Sequence, residues 1–334
     1  ISAKNRAKWH VNLMKTWVLQ NQPSKGVGWE PYPTSIRIVN WIKWALQDND
    51  LPGECQKSLF IQARYLRQRV EWHLMGNHVF ANAKALFFAG LYFDCYEAKD
   101  WCNFGLKLIN QQLEEQVMSD GAHYELSTSY QSLFIEDLLD LLNVSQVFGE
   151  VVDEATTSWW KNKLTQMIFW LKEMLHDDLE VSYFNDSFLG LNPPMREISS
   201  YAKRMNLPSE LSPQVLIDHD LHDLGWAKVT HLTSSGYIRL KTKTATAILD
   251  LAQVGPMHQP GHAHADTLSF ELSLFGKRIF VNCGTSTYNN DAIRHFERAT
   301  HSHNTLEFDK KSSSEVWGAF RVARRAFPSN IAIK

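Results

Sequence analysis

Residues 237–249 of this 334-residue chain read YIRLKTKTATAIL, and polar and apolar side chains alternate along much of the segment. The same alternation recurs at residues 268–272, LSFEL, and Gly276-Lys277 follows shortly afterwards. A period of two residues is typical of half-buried strands, and a glycine between two such runs indicates a hairpin turn. The sequence past residue 225 therefore predicts antiparallel strands.

Residues before about 205 have a different period, because their apolar side chains recur at intervals of three and four. This spacing is typical of helices with one buried face. The predicted helices cover Thr34–Leu46, Cys55–His73, His78–Tyr96, Trp101–Gln116, Ser129–Val147 and Trp159–Leu175. Short breaks between them favour antiparallel helical hairpins, a pattern that a bundle, a superhelix and a closed toroid all satisfy.

Helices followed by strands, rather than interleaved with them, predict an α+β chain with two segregated domains. We expect a helical domain at residues 1–205, a linker at 206–224 and a β domain at 225–334. The chain begins without Met inside a helical pattern, and residues 330–334 resemble an unfinished strand. We therefore expect a fragment of a longer protein.

Composition excludes several classes of partner. Lys and Arg total 34 against 36 for Asp and Glu, so the formal net charge is -2 and no global basic field attracts nucleic acid or an anionic membrane. An anionic substrate needs a local basic site instead. Four cysteines without a CxxC pair indicate neither a zinc ribbon nor a disulfide scaffold. The sequence has no recognisable targeting segment or membrane span, and it carries no signal for an oligomeric state.

The strongest local signal is Gly261-His262-Ala263-His264-Ala265-Asp266, which we expect to open a strand. Two histidines one pleat apart on one strand face either share a metal ion, or divide metal binding and acid/base work, or occur together by chance in a chain with 14 His. A second cluster, with His301 and His303, precedes a predicted strand at residues 306–308.

In the helical half, Asn77 and His78 stand at the start of a predicted helix. Asn77 is either a helix N-cap or, with His78, a hydrogen-bond donor to a carboxylate near the positive helix end. Tyr130 begins another predicted helix, shortly after Asp120-Gly121, and is either a core tyrosine or a reactive phenol.

Taken together, these motifs resemble the heparinase II/III-like polysaccharide lyases in order and in relative separation. The matching pieces are Asn77-His78, Ala81-Asn82-Ala83-Lys84-Ala85, Asp120-Gly121, Tyr130, His262-Ala263-His264-Ala265-Asp266 and His303-Asn304-Thr305. The resemblance implies an incomplete (α/α) toroid followed by an antiparallel β-sandwich, truncated at both ends. It also implies β-elimination on a uronic-acid-containing polysaccharide.

The resemblance assigns catalytic roles to four residues around one cleft. Asn77 and His78 neutralise the uronate carboxylate, while Tyr130 and His262 transfer protons at C5 and at the leaving O4. Which of Tyr130 and His262 is the base depends on the epimer at C5, and one residue can also serve both steps. The sequence leaves these alternatives open.

The family also implies a structural zinc ion, held here by His264, Asn282 and His303. Asn282 stands where the family has an aspartate, and a neutral amide is a poorer zinc ligand than a carboxylate. The departure either weakens or abolishes the site, or leaves Cys283, Asp266 or His301 to compensate. Ala81 likewise replaces an acidic residue of some members.

Four residues are expected to bind substrate: Tyr288, Arg294, Arg298 and Trp29. Arginine forms bidentate bonds with a uronate or a sulfate, and indole faces stack on sugar rings, although each residue has an ordinary surface or core alternative. Two other functions remain open: a metal-dependent hydrolase, and a non-catalytic protein of polysaccharide binding or assembly. The substrate class favours a periplasmic or secreted location.

Overall fold

The computed structural model describes residues 2–149, 151–188, 190, 193–207 and 219–332. The chain forms two compact units, Ile1–Glu114 and Glu115–Lys334. The second unit therefore contains helices as well as every strand of the described residues. The domain boundaries predicted at residues 205 and 225 stay a prediction.

The first unit is helical. Its helices are α1 (Ala3–Gln20), α2 (Pro31–Ala45), α3 (Gly53–Arg67), α4 (Gly76–Tyr92) and most of α5 (Tyr96–Gln116). The predicted helix over residues 78–96 thus ends earlier, because Phe93 is extended and Tyr96 already begins α5. The packing of α2 against α4 buries Ile38, Ile42 and Phe80 completely.

Three further helices precede the strands of the second unit: α6 (Thr128–Phe148), α7 (Glu154–Glu173) and α8 (Met195–Arg204). The N-terminus of α6 is capped by Ser127, whose hydroxyl accepts a hydrogen bond from the backbone N–H of Tyr130. Tyr130 therefore lies in the first turn of α6, as predicted.

The strands form an antiparallel meander in which each strand pairs with the next along the chain. Its strands are β1 (His219–Asp223), β2 (Lys228–Leu232), β3 (Tyr237–Lys241), β4 (Ala245–Asp250), β5 (Phe270–Leu274) and β6 (Lys277–Phe280). Phe275 and Gly276 both have positive φ, so the predicted hairpin turn between β5 and β6 is confirmed. A small hairpin pairs β7 (Val316–Trp317) with β8 (Arg321–Val322), and a short helix, α9, covers Ala292–Arg298.

The core of the second unit lies between α7 and the sheet. Trp170 of α7 packs edge-on against Tyr237 of β3 with 5.8 Å between the ring centroids, and its indole N–H donates to the hydroxyl of Ser235 at 2.9 Å. Burial of two large aromatic rings with their polar atoms hydrogen-bonded stabilises this contact.

Two predicted strands are wrong. Residues 261–266 form a loop, because their backbone groups bond elsewhere: the N–H of Ala263 donates to the carbonyl of Pro260 and the N–H of Ala265 donates to the carbonyl of Arg298. Residues 306–308 contribute a single bridge, from Phe308 to Lys311.

Two other predicted segments, the C-terminal strand and the linker, also differ from the structure. Residues 330–332 lie outside any strand, and 333–334 lie outside the described residues. Within the predicted linker, residues 219–223 form β1, and 208–218 lie outside the described residues. Across the described part of the chain, each helix is too short or too polar to traverse a lipid bilayer.

Candidate functional site

A buried carboxylate is the centre of the site in the second unit. Asp186 lies in the loop between α7 and α8 and is inaccessible to solvent. Its Oδ2 accepts hydrogen bonds from Nδ1 of His262 and Nη2 of Arg294, both at 2.7 Å. Its Oδ1 accepts from Nε2 of His264 at 2.8 Å and from the hydroxyl of Thr285 at 2.7 Å.

These bonds keep Asp186 ionised. Burial alone would raise the pKa of the carboxyl, but the hydrogen bonds from His262, His264 and Arg294 hold the pKa well below its usual range. An ionised carboxylate only accepts hydrogen bonds, so each ring nitrogen that contacts Asp186 carries a proton.

Tyr130 and His262 are in direct contact, with 4.4 Å between their ring centroids. The hydroxyl of Tyr130 lies 2.9 Å from the hydroxyl of Tyr288, whose ring is 6.0 Å from that of His262. Burial, reinforced by the neighbouring phenol and carboxylates, raises the pKa of Tyr130 above its ordinary value. Two phenols and an imidazole therefore share one site, and each carries an exchangeable proton.

The electrostatic surroundings of His262 are acidic. Its Nε2 lies 3.9 Å from the carboxylate of Glu125, and its Nδ1 is bound to Asp186. Burial opposes the charged form of His262, but the carboxylates of Glu125 and Asp186 outweigh burial and raise its pKa. An imidazole in this setting is suited to general acid/base chemistry.

Phe320 forms an apolar wall beside these groups. Its ring stacks on Tyr288 at a centroid distance of 5.6 Å and meets His262 edge-on at 6.0 Å. The residue is 44% exposed, so part of its surface remains open to a ligand.

Arg294 and Arg298, which were predicted to bind substrate, are both buried. Arg294 is bound through both terminal nitrogens to Asp186, and its Nε donates to the carbonyl of Ala319 at 3.0 Å. Arg298 donates to the carbonyls of Ala263 and Gly318. These bonds disfavour the predicted role, because a uronate would have to displace them.

Trp29, the fourth predicted substrate residue, belongs to the first unit and is only 1% exposed. Its ring packs against Trp17 and Tyr65, with centroid distances of 5.9 and 5.4 Å. This burial favours the core alternative over a sugar-stacking platform.

Asn77 and His78 also belong to the first unit and lie in the first turn of α4. The N-cap position is Met75, so Asn77 is not the helix cap. Nδ1 of His78 lies 3.2 Å from the carboxylate of Glu71, and the ring of Tyr32 is 4.7 Å away. His78 is about one-third exposed, and the predicted role of this pair in carboxylate binding stays a prediction.

The predicted zinc ligands lie together, with the rings of His264 and His303 5.3 Å apart. Nδ1 of His264 and Nε2 of His303 are buried without a hydrogen-bond partner among the described residues. Asn282, however, accepts at Oδ1 from the backbone N–H of Asn304, and the same oxygen lies 3.2 Å from Nδ1 of His303. Among the described residues, no group of three or more His, Cys, Asp or Glu side chains is placed to hold a metal ion.

This donor set does not fit a structural zinc site, because two imidazoles and a neutral, already bonded amide leave the third ligand position poorly filled. No proton transfer at this site is assigned to a metal ion.

Sequence reasoning missed Asp186, Glu125 and Phe320. Asp186 lies in FNDSF, residues 184–188, where a charged residue between two phenylalanines was a detectable signal for a buried carboxylate. Glu125 and Phe320 stand in segments without periodicity, and no local pattern distinguishes them.

The fold and the motifs are those of a known class of protein. Residues 5–208 match the family described as heparinase II/III N-terminus, and residues 227–332 match the family described as heparinase II/III-like, C-terminal. The chain belongs to the heparinase II/III-like family.

Among its relatives is a heparin-sulfate lyase of Bacteroides stercoris, 22% identical over 72% of this chain and 37% of the relative. A heparin-sulfate lyase of Bacteroides thetaiotaomicron is 23% identical over 92% of this chain and 49% of the relative. The chain thus spans less than half the length of these curated relatives.

Solved structures share the fold. A crystal structure of heparinase III superposes with a TM-score of 0.73 at 18% identity, covering 96% of this chain and 53% of that one. A heparan sulfate lyase from Pedobacter heparinus gives a TM-score of 0.59 at 20% identity, covering 93% and 52%. The predicted fold class, a helical (α/α) toroid region followed by an antiparallel β domain, is confirmed.

Proposed function

We propose that this protein is a polysaccharide lyase that cleaves a uronic-acid-containing glycosaminoglycan of the heparan type by β-elimination. The observation that carries the proposal is the contact between Tyr130 and His262, the two groups that the family resemblance assigns to proton transfer. The similarity to heparin-sulfate lyases supports the substrate class. A periplasmic or secreted location is part of the same proposal, because it follows from the substrate.

The chemical difficulty of the reaction is the weak acidity of the C5 proton. This proton lies next to the uronate carboxylate, and its removal adds a second negative charge to that end of the sugar. Positioned donors that neutralise the carboxylate lower this barrier. In the proposal, the amide of Asn77 and the imidazole of His78 supply these donors.

Proton transfer is assigned to the second unit. Nδ1 of His262 is bound to Asp186, so Nε2 of the neutral ring is the nitrogen left to accept the C5 proton. The raised pKa of Tyr130 keeps its phenol protonated, which suits donation to the leaving O4. The C4–O4 bond then breaks, and a double bond forms between C4 and C5.

The test is to incubate the protein with heparan sulfate and other uronate polysaccharides while following the ultraviolet absorbance of the new double bond. Tyr130→Phe removes the proposed acid and should lower kcat by about 10²–10⁴-fold. Tyr201→Phe is a matched control, since it removes a phenolic hydroxyl that bonds to Asp140, away from the site. The control should keep wild-type turnover.

Two outcomes would contradict the proposal. Binding of the polysaccharide without any unsaturated product would identify a non-catalytic binding or assembly protein. Cleavage into saturated products that stops on addition of a chelator would identify a metal-dependent hydrolase.

A further inference from the structure

Asp186 joins three segments of the second unit: its own loop, the loop of His262 and the segment of Arg294. We propose that Asp186 is a positioning residue that fixes the tautomer and orientation of His262, and that Arg294 is its counter-ion and not a ligand of the substrate. This inference rests on the proposed function, because it gives His262 its role as a base.

The tautomer follows from the hydrogen bonds of the ring. A carboxylate accepts but does not donate, so the 2.7 Å contact between Asp186 and His262 requires the proton on Nδ1. The lone pair then lies on Nε2. The nearest acidic group to Nε2, Glu125, is 3.9 Å away and beyond hydrogen-bond distance, so Nε2 remains available to a substrate.

The backbone around Asp186 is fixed by hydrogen bonds that do not involve the imidazole ring of His262. The backbone N–H of Asp186 donates to the carbonyl of His262 at 3.1 Å, and the N–H of Thr285 donates to the carbonyl of Ser187 at 3.0 Å. A Cβ on Gly284 would lie 2.4 Å from that same Ser187 carbonyl, so the two segments approach as closely as a glycine allows. Asp186 therefore has little freedom to move with the imidazole.

The buried charge of Asp186 requires a partner, and Arg294 supplies it. An ionised carboxylate without solvent is strongly unfavourable unless it is paired and its lone pairs are filled. Both residues are fully buried, and Arg294 binds both carboxylate oxygens. The guanidinium also lies over the rings of Tyr288 and Phe320, at 5.2 and 5.6 Å from their centroids. Arg294 thus contacts both the carboxylate of Asp186 and the aromatic rings of Tyr288 and Phe320.

The first measurement is the tautomer of His262 in the wild-type full chain, by long-range ¹H–¹⁵N NMR of histidine-labelled protein. The His262 signals are assigned by their loss in His262→Gln. We expect the neutral ring to carry its proton on Nδ1. A ring protonated on Nε2 in the wild type would overturn the inference, and this readout depends neither on turnover nor on the folding of an Asp186 variant.

The second measurement is the Asp186→Asn variant. An amide both donates and accepts, so it permits the wrong tautomer, and kcat should fall by about 10²–10⁴-fold while KM changes little. Asp140→Asn, which places the same amide at another buried aspartate of this unit, is the matched control and should retain wild-type kcat. A change in KM alone, or no shift of the His262 tautomer, would contradict the positioning role.

Arg294→Lys tests the counter-ion. Lysine keeps the positive charge but cannot form the bidentate hydrogen bonds to Asp186, so kcat should fall with KM nearly unchanged. A rise in KM alone would instead make Arg294 a substrate ligand. Absence of lyase activity in the wild type would remove the proposed function, whereas the wild-type NMR measurement would still decide whether Asp186 orients His262.

Discussion

The side chain at position 282 decides whether the cluster of His264, Asn282 and His303 is a metal site or only a hydrogen-bonded polar cluster. Its neighbours His264 and His303 each keep one buried ring nitrogen without a partner among the described residues. Two such lone pairs favour a cation, but the amide of Asn282, which contacts His303, supplies no charge. The structural zinc ion that the family resemblance implies therefore stays a prediction, and the neutral amide of Asn282 is the feature that fits it poorly.

Asn282→Asp should convert this cluster into a tighter zinc site, because it replaces the neutral amide with a carboxylate ligand. We expect the wild-type chain, after dialysis against a chelator and then metal-free buffer with added zinc, to retain well under one equivalent. The variant should retain close to one. Metal content by mass spectrometry is the measurement, and equal retention in both proteins would show that Asn282 does not limit binding.

Residues with a distinctive neighbourhood in sequence were the ones that could be predicted. His262 stands in a repeated His-x-His pattern, and the order of the motifs singled out Tyr130. The structure brings their rings together, and their catalytic roles stay a proposal. Asp186 contacts residues 76 and 108 positions away, so only the folded chain reveals what it binds. Arg294 and Arg298 were predicted as substrate-binding or surface residues. The fold buries both, which the sequence did not reveal.

At the scale of elements, the Asp120-Gly121 turn contacts both helix α7 and the turn between β2 and β3 in the second unit. The carboxylate of Asp120 accepts hydrogen bonds from the backbone N–H of Ala122 and from both the backbone N–H and the hydroxyl of Ser235. Gly121 has a φ of 91°, and a Cβ there would lie 2.2 Å from the carbonyl oxygen of Gln166 in α7. The turn therefore requires glycine for two reasons, its backbone conformation and its close approach to a helix.

Gly121→Ala should accordingly destabilise the fold. The left-handed backbone costs about 1–2 kcal/mol for a residue with a Cβ. The overlap with α7 adds about 1–3 kcal/mol. Gly225→Ala is the matched control, since Gly225 has a φ of 76° but open space around its Cβ position, so only the backbone cost applies. Urea unfolding measures both, and equal losses in the two variants would contradict the steric explanation.

Elements with a regular period were predicted well, while the loops were not. The β5–β6 hairpin follows from alternation and a glycine turn, both of which are local. Residues 261–266 were wrongly predicted as a strand, because two histidines one residue apart also satisfy a strand pattern. In the fold they reach different oxygens of one carboxylate, so that carboxylate, not a sheet, sets the conformation of the segment.

At the scale of the whole molecule, a buried neutral histidine couples stability to pH. The ring of His123 is buried, and burial, together with the nearby His262, lowers its pKa to about 3. The unfolded chain binds a proton at this residue below the ordinary value of about 6.5, whereas the folded chain does not until pH 3. The stability contributed by His123 is therefore complete above pH 6.5 and is lost as the pH falls toward 3.

His123→Gln removes this proton from both states. Between about pH 6 and pH 4, the unfolding free energy of the wild type should fall more steeply than that of the variant, by about 1.4 kcal/mol per pH unit. Denaturant unfolding at a series of pH values measures the difference, and the constant offset between the two proteins at pH 7–8 is the internal control. Parallel curves across the acid range would show that His123 is not the coupled group.

The sequence by itself predicted the order of helices and strands, the antiparallel hairpins, and Tyr130 and His262 as candidate catalytic residues, because period, turn residues and ordered motifs are properties of neighbouring positions. Only the tertiary structure decided that Asp186 is hydrogen-bonded to His262, that Arg294 is paired with Asp186, and that Phe320 lies beside them. These residues lie in loops and at helix ends without a period, and their contacts span long stretches of chain. Their partners are selected by the packing of distant segments and by the need to neutralise a buried charge, neither of which a local pattern records.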